Sequence, residues 1–478
     1  MTRDLILWIL ADELRADALS CYGTPHPAIR TPNIDRLARS GVLFDNAYTA
    51  SPVCVPARVS MATGLRPDQS GVWGNEAYVP DYPLERGILT FTEHLADAGW
   101  RTASFGKEHV PPAMHPWQAD DHAGSDMREL LEGAEAESVV RTPGLGFVVA
   151  GTWPSDRPYP PEAITAGTIA AMRDAEGPLL VRASYLQPHT PVIVPEPWAS
   201  KYAGLPFPTA PRQDPADSGF ERRFAEINRG AAMSPEEFRR AQVAYFGAVA
   251  WLDEQVRVLM QAIEEISELG RVTILLTADH GAHLGEDGAY GKHTFAPASS
   301  RIPLIVSGHG TGQGGIRRSD LASNADVART LLAAAGVPAP ASIGGRDLFA
   351  DPEPEYLISG IGYGAAGSRA FPNLAAGTGQ GGSGWPQRVC VRTARYRLDL
   401  TARLDGAGTD SGSHDAFLAD RVIDPWERSN LIGVDAYEEI AERLTSVAHE
   451  TSEQATLPSD DAVFAQFSAP GGMECRPD

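Results

Sequence analysis

Short apolar runs that end abruptly in polar or charged residues recur at four places along the chain. Leu5–Leu10 leads into Asp12-Glu13, and Thr102–Phe105 into Gly106-Lys107-Glu108-His109. Leu179–Leu186, interrupted by Arg182, leads into Pro188-His189, and Val272–Leu276 into Asp279-His280-Gly281. Continuous apolar runs of this length are how buried parallel strands read. If the four lie side by side in one sheet, their polar ends gather along one edge, where open α/β sheets bind ligands. Helical patterns fill the intervals. Ser234-Pro235-Glu236-Glu237 is a capping box with proline at the first helical position, followed by Phe238, Tyr245, Val249, Leu252, Val256, Leu259, Ile263 and Ile266 on one face. That helix is expected to end at Gly270 and to cover one face of the sheet. A second helix is expected from near Pro56 to near Gly64, with Cys54 at its amino end, where the dipole favours negative charge.

The pattern predicts an α/β protein: a large mixed, mostly parallel sheet flanked by helices, over residues 1–355, with a smaller C-terminal α+β subdomain. Residues 356–387 are rich in glycine without apolar periodicity and read as a loop or linker. Arg388–Leu400 has strand character and Asp435–Thr451 the pattern of an amphipathic helix, so the subdomain is placed at 388–454 and a tail at 455–478. No internal repeat is visible.

Composition narrows the partners. With 478 residues, 43% hydrophobic and 21% charged, the chain has globular values and no apolar run near the roughly twenty residues that cross a bilayer. The first run, Leu5–Leu10, is shorter than a secretory apolar region and meets an acidic pair at once, which favours a cytoplasmic protein. A net charge of −22 disfavours nucleic acid, anionic membranes and long polyanionic glycans. The four cysteines, Cys21, Cys54, Cys390 and Cys475, contain no C-x-x-C pair and suggest neither a disulfide framework nor a structural zinc site.

Cys54 stands apart by its surroundings, Cys54-Val55-Pro56-Ala57-Arg58. C-x-P-x-R, taken with Gly106-Lys107-Glu108-His109, Pro188-His189, Asp279-His280-Gly281 and Gly291-Lys292-His293, resembles the sulfatases of the alkaline-phosphatase-like superfamily. The resemblance runs from Leu5 to about Leu348, with a weaker echo at Val391-Arg392-Thr393-Ala394-Arg395-Tyr396 and Asp424-Pro425-Trp426-Glu427. It implies an alkaline-phosphatase-like fold and a sulfuric ester hydrolase in which the cysteine is oxidised to formylglycine (3-oxoalanine), whose hydrate is the nucleophile. A formylglycine-generating enzyme is then a partner during maturation, and a small-molecule sulfate ester the substrate.

By the same resemblance Asp12, Glu13, Cys54, Asp279 and His280 hold one divalent cation. Calcium is the family's usual ion; the imidazole of His280 raises the standing of manganese, and magnesium remains open. Glu13 departs from the commoner Asp-Asp pair. Lys107 and Lys292 are expected to hold sulfate oxygens, His109 to act as the base that releases sulfate, and His189 to protonate the leaving alcohol, a task that suits imidazole. Arg58 is expected to fix residue 54 by hydrogen bonding to it, and Asn75 to reach the substrate's edge or to serve as a turn residue. Trp73 and Tyr78 are candidates for the alcohol pocket, with packing as their plainer use. Arg182, inside an apolar strand, needs a carboxylate or anionic partner, and His293 reads as a solvated surface histidine. Two other functions fit the pattern: a phosphonate monoester or phosphodiester hydrolase on the same scaffold, and a non-catalytic anion-binding protein with an unmodified Cys54.

Overall fold

The computed structural model describes residues 3–75, 88–112, 114, 116–142, 147–207, 217–228, 232–362, 387–403 and 415–455. Among these, eight strands make the principal sheet: β1 Arg3–Ala11, β2 Gly41–Tyr48, β3 Arg101–Gly106, β4 Ala119–Asp121, β5 Leu179–Tyr185, β6 Leu269–Ala278, β7 Leu304–Gly308 and β8 Ile316–Ser323. Their order is β8-β2-β7-β6-β1-β5-β3-β4, and β7 alone runs antiparallel to its neighbours. The four runs singled out in the sequence are thus the adjacent strands β6, β1, β5 and β3. Their register is level at the carboxyl ends: Ala11 pairs with Tyr185 on one side and Ala278 on the other, and Gly106 pairs with Ser184. Leu5 through Ala11 are all buried, so the run that resembles a short leader in outline is the centre of the core.

Helix Pro32–Ser40 packs on β2 and β7, and helix Glu162–Asp174 on β3 and β5. The capping box at Ser234 forms as read: the Ser234 hydroxyl accepts the Glu237 N–H at 3.2 Å and the Glu237 carboxylate accepts the Ser234 N–H at 2.8 Å. The helix ends at Glu265 rather than at Gly270. Leu269 and Gly270 are instead recruited into β6, because Leu269 pairs with Arg3 and the Arg3 N–H donates to the Glu268 carbonyl at 2.9 Å. None of the helices among the described residues is long and apolar enough to cross a membrane.

A second, antiparallel sheet follows, in the order β9 Leu357–Gly362, β10 Gln387–Arg392, β11 Tyr396–Arg403 and β12 Phe417–Asp420. The single stretch Arg388–Leu400 is therefore a hairpin of two strands. The first residues of the expected linker are strand β9, and the rest of the glycine-rich segment, from 363 to 386, lies outside the described residues, as do the tail from 456 onward, Cys475 and Tyr78. Helix Glu438–Glu453 lies on β10 and β11, and Ile358, Val389, Val391, Leu398, Leu400, Leu418 and Leu444 form the core between them. Trp73 belongs to this core and is 3% exposed, so packing is its use.

Buried ion pairs hold the second sheet together, and one of their members reaches the loop that carries Lys292. Glu427, in the echo segment, accepts Arg392 and also pairs with Arg397 and Arg421, each at 3.3 Å. Arg392 in turn donates to the Phe295 carbonyl at 2.9 Å, on the loop that carries Lys292. Removing one member of such a buried pair costs about 3–5 kcal/mol, because the other charge is left uncompensated.

Candidate active site

The chain leaves β2 and turns into the helix Cys54–Thr63, all of whose residues are buried. The helix begins at Cys54 and stops at Gly64, whose left-handed φ of 72° permits the C-cap. A side chain at Gly64 would place its Cβ 2.2 Å from the Gly344 carbonyl oxygen. Asn75 accepts the Val55 N–H at 3.0 Å through its side-chain carbonyl, which satisfies a free donor of the first turn. Its demonstrated partner is the helix that carries Cys54.

Ligand atoms of Asp12, Cys54, Asp279 and His280 all lie within 4.8 Å of one another, and all four residues are buried. The Cys54 Sγ is 3.3 Å from His280 Nε2 and 3.7 Å from Asp12 Oδ1. His280 Nδ1 is 2.9 Å from the Gly281 carbonyl oxygen, an arrangement that leaves Nε2 to face the cluster. Two carboxylates, one imidazole nitrogen and residue 54 form a donor set that fits a divalent cation.

Arg58 holds the two carboxylates apart and in place. Its side chain is fully buried; Nε donates to Asp279 Oδ2 and Nη2 to Asp12 Oδ2, both at 3.0 Å. Nη1 donates to the Lys107 carbonyl at 2.8 Å and to Ser184 Oγ at 3.1 Å. Where the sequence led to the expectation of a bond to residue 54, the hydrogen bonds of the guanidinium in the structure run to the two acids, the Lys107 carbonyl and Ser184.

Lys107, at the end of β3, puts Nζ 2.7 Å from Asp12 Oδ2. Lys292, after the short hairpin His283–Leu284 and Tyr290–Gly291, puts Nζ 2.9 Å from Cys54 Sγ, 2.8 Å from Glu13 Oε1 and 3.0 Å from His189 Nε2. His189 Nδ1 hydrogen-bonds the Thr190 carbonyl, so Nε2 faces inward, and Glu13 Oε1 is 3.4 Å from it. His109 reaches the Cys54 sulfur from the β3 side, in a left-handed conformation with φ 53°. Every sequence-predicted site residue except Asn75 therefore meets at one point.

The electrostatics follow from burial and these neighbours. Burial pushes the Cys54 thiol up, but Lys292, Lys107 and His280 outweigh it and hold the thiol well below its usual range. Asp12 lies well below the carboxylate range: burial and Cys54 raise it, and Lys107 and Arg58 pull harder. Burial and the facing Asp12 hold Asp279 above its usual range. Burial and then Lys107 push His109 down to about 4, which keeps it a neutral imidazole at pH 7. His280 rises to about 9, because Asp279 overcomes burial.

Two sequence expectations outside the cluster resolve differently. Arg182 finds its carboxylate in Glu108, donates to Ser104 Oγ at 3.0 Å and lies 4.5 Å from the Trp117 ring centroid. His293 is not a solvated surface residue. It is half-buried, its N–H donates to the Pro52 carbonyl at 3.1 Å, and burial with Lys292 beside it depresses its pKa to about 3.

Three supporting residues escaped the sequence reading. Asn324 donates to the Asp279 carbonyl at 2.9 Å and accepts the Ala50 N–H at 2.9 Å, linking β6 to the approach to Cys54. Ser184 donates to the Lys107 carbonyl at 2.6 Å. Tyr245, on the buried face of the long helix, donates to the Glu13 carbonyl at 2.6 Å. The tyrosine had a signal: a hydroxyl on an otherwise apolar helix face needs a partner.

The sulfatase family model matches residues 4–337, which span the principal sheet and all of these residues but none of the second sheet. The chain belongs to the sulfatase family. Among sulfatases it is similar to mouse iduronate 2-sulfatase, 28% identical over 330 residues that cover 63% of this chain and 58% of the relative. Choline-sulfatase of Rhizobium meliloti is 29% identical over 358 residues, covering 70% of this chain and 67% of the relative. The chain thus aligns with a little over half the length of the iduronate sulfatase. Its fold is shared with phosphonate monoester hydrolase of Agrobacterium radiobacter, at TM-score 0.74 and 19% identity over 95% of this chain and 96% of the other. A protein solved in complex with its substrate D-glucosamine-2-N,6-O-disulfate has TM-score 0.71 and 20% identity over 95% and 98%.

Proposed function

We propose that this sulfatase hydrolyses a small-molecule sulfate ester, with Cys54 converted to formylglycine and one divalent cation held by Asp12, Asp279, His280 and residue 54. The observation that carries the reading is one connected cluster: Asp12, His280, Lys292 and His109 meet residue 54, while Asp279, Lys107 and His189 reach those residues in turn. An anion-binding protein has no use for a neutral base on the nucleophile and a second, inward-facing imidazole beside the lysine that touches it.

The cation supplies positive charge for the oxygens around sulfur, and the converted residue the attacking hydroxyl. Lys107 and Lys292 are placed to hold sulfate oxygens, and Arg58 orients Asp12 and Asp279 and favours their ionised forms. His189 presents Nε2 to the departing alcohol oxygen and delivers a proton there. His109, neutral at pH 7, takes a proton from residue 54 in the step that releases sulfate. A net charge of −22 favours small substrates over polyanionic glycans.

Peptide mass spectrometry of the Cys54 segment, from a host that expresses a formylglycine-generating enzyme, tests the nucleophile. The aldehyde is expected in active preparations, and turnover by protein bearing only unmodified cysteine refutes the mechanism. Chelation should abolish turnover and added calcium or manganese restore it. The fold shared with a phosphonate monoester hydrolase makes one comparison decisive for substrate class: kcat/KM on matched aryl sulfate and aryl phosphonate esters, with the sulfate expected to lead.

A further inference from the structure

Glu13 is the member of the acidic pair whose geometry departs from that of a metal ligand. It follows Asp12 directly, yet its backbone sits in the left-handed region at φ 61°, a conformation uncommon for a side-chain-bearing residue. Both of its peptide groups are tied down. The Glu13 N–H donates to Asp279 Oδ1 at 3.2 Å, and its carbonyl accepts the Tyr245 hydroxyl at 2.6 Å. The turn so held sends consecutive side chains to largely different partners. Asp12 faces Arg58, Lys107, Cys54 and His280, with His189 Nε2 4.0 Å away, whereas Glu13 faces Lys292 at 2.8 Å and the same His189 nitrogen at 3.4 Å.

Asp12, Glu13 and His189 do form a second group with metal-like spacing. A cation is already there: Lys292 Nζ lies 2.8 Å from Glu13 Oε1 and 3.0 Å from His189 Nε2, where a metal ion would have to stand. The four-residue cluster that fits a divalent ion does not include Glu13.

We infer that Glu13 is a positioning residue for the Lys292–His189 pair and not a ligand of the metal. It fixes the ammonium that holds a sulfate oxygen and the imidazole edge that meets the leaving oxygen, on one carboxylate. Because Oε1 contacts both groups, one substitution disturbs sulfate capture and proton delivery together. The inference rests on the sulfatase reading of Lys292 and His189, but its first test does not require turnover.

That test is metal binding by calorimetry, titrating calcium and then manganese into chelator-treated wild type, Glu13→Gln, Glu13→Ala and Asp279→Asn. Glu13→Gln keeps the side chain's shape, so folding is secured by matching its thermal unfolding to wild type. Both Glu13 variants should keep Kd within about threefold of wild type, while Asp279→Asn weakens it about 10–100-fold. A comparable weakening in Glu13→Gln would make Glu13 a ligand and overturn the inference, whatever the substrate proves to be. The second readout is kcat/KM across aryl sulfates of graded leaving-group acidity. Glu13→Gln should lose about 10–100-fold overall, most on the least acidic phenols, as expected when a general acid worth about 10²–10⁴-fold is misaligned. An unchanged leaving-group dependence would remove Glu13 from the positioning of His189. A wild type inert on every aryl sulfate would instead fault the substrate assignment and leave the metal result standing.

Discussion

Arg58 offers the sharpest test of how the site is held. Its guanidinium lies between two carboxylates, and all three side chains are fully buried. Arg58→Met removes the charge and both charge-assisted hydrogen bonds while preserving much of the volume. Losing one partner of a buried ion pair costs about 3–5 kcal/mol. Here the loss exposes Asp12 and Asp279 to each other, with Lys107 left on Asp12 alone. The cost has a ceiling, because burial and Asp12 already hold Asp279 above its usual range and it can take a proton instead. We therefore expect a deficit near 3 kcal/mol in chelator, read from urea midpoints at constant slope. Arg58→Lys should recover only part of it, since an ammonium cannot reproduce the fork that reaches both acids, the Lys107 carbonyl and Ser184. A divalent cation supplies the missing compensation, and saturation at 100 times Kd adds about 2.7 kcal/mol to any state that binds it. With its two carboxylates uncompensated, Arg58→Met should bind the ion more tightly than wild type, and the deficit in saturating calcium should shrink by about 1.4 kcal/mol for each tenfold difference in Kd. An equal deficit with and without metal, or one below about 1 kcal/mol in both, would refute the view that Arg58 acts through these two carboxylates.

Cys54→Ser should be severely impaired in multiple turnover, since a serine ester cannot collapse as a hydrated aldehyde does; near wild-type turnover by intact-mass-verified serine protein would sink the formylglycine step. His189→Ala should lose most on poorly acidic alcohols and His109→Ala should lose equally on all, with a sulfated adduct visible in intact mass only for His109→Ala; equal leaving-group slopes would mean the roles are misassigned. His283 is buried against Thr294 at 2.7 Å and burial depresses its pKa to about 4. A depressed folded pKa adds stability that is present above the unfolded value near 6.5 and is lost as pH falls towards 4, so wild type should lose about 2 kcal/mol relative to His283→Gln between pH 7.5 and 5. Parallel urea midpoints for the two proteins across that range would refute it.

The strands that build the site were legible because buried parallel strands carry uninterrupted apolar runs, so the residue that ends each run is conspicuous. Asp12, Lys107, His189 and Asp279 could be located this way before any geometry. What side chains touch was less legible. An arginine in C-x-P-x-R can reach residue 54 or anything one helical turn away, and only the level ends of β1 and β6 reveal that two acids lie beneath it. His293 follows Lys292 in an irregular segment whose burial depends on Pro52, far away in the chain. Strand β9 was read as the start of a loop because of Gly360 and Gly362. Yet a Cβ at Gly360 would stand 2.8 Å from the Trp73 ring, so the glycine there marks close packing of β9 against the Trp73 segment rather than a flexible turn.

The charges around Cys54 bear on the cation proposed for this site. Lys107 is engaged with Asp12, Lys292 with Glu13, and Arg58 with both Asp12 and Asp279. Each cationic group that could receive a sulfate oxygen is already neutralised by a carboxylate, and the protein's overall charge of −22 adds no attraction at longer range. Such a cluster, left as it stands, is close to neutral and binds an anion weakly. A divalent ion held by Asp12, Asp279 and His280 would change the balance locally, because Asp12 would then answer the metal and Lys107, its present partner, would be released towards the substrate. The carboxylates are thus arranged in two groups with separate tasks. On the proposed reading Asp12 and Asp279 would answer the metal, and Glu13, whose left-handed backbone sets its carboxylate on Lys292, would hold that lysine for the anion.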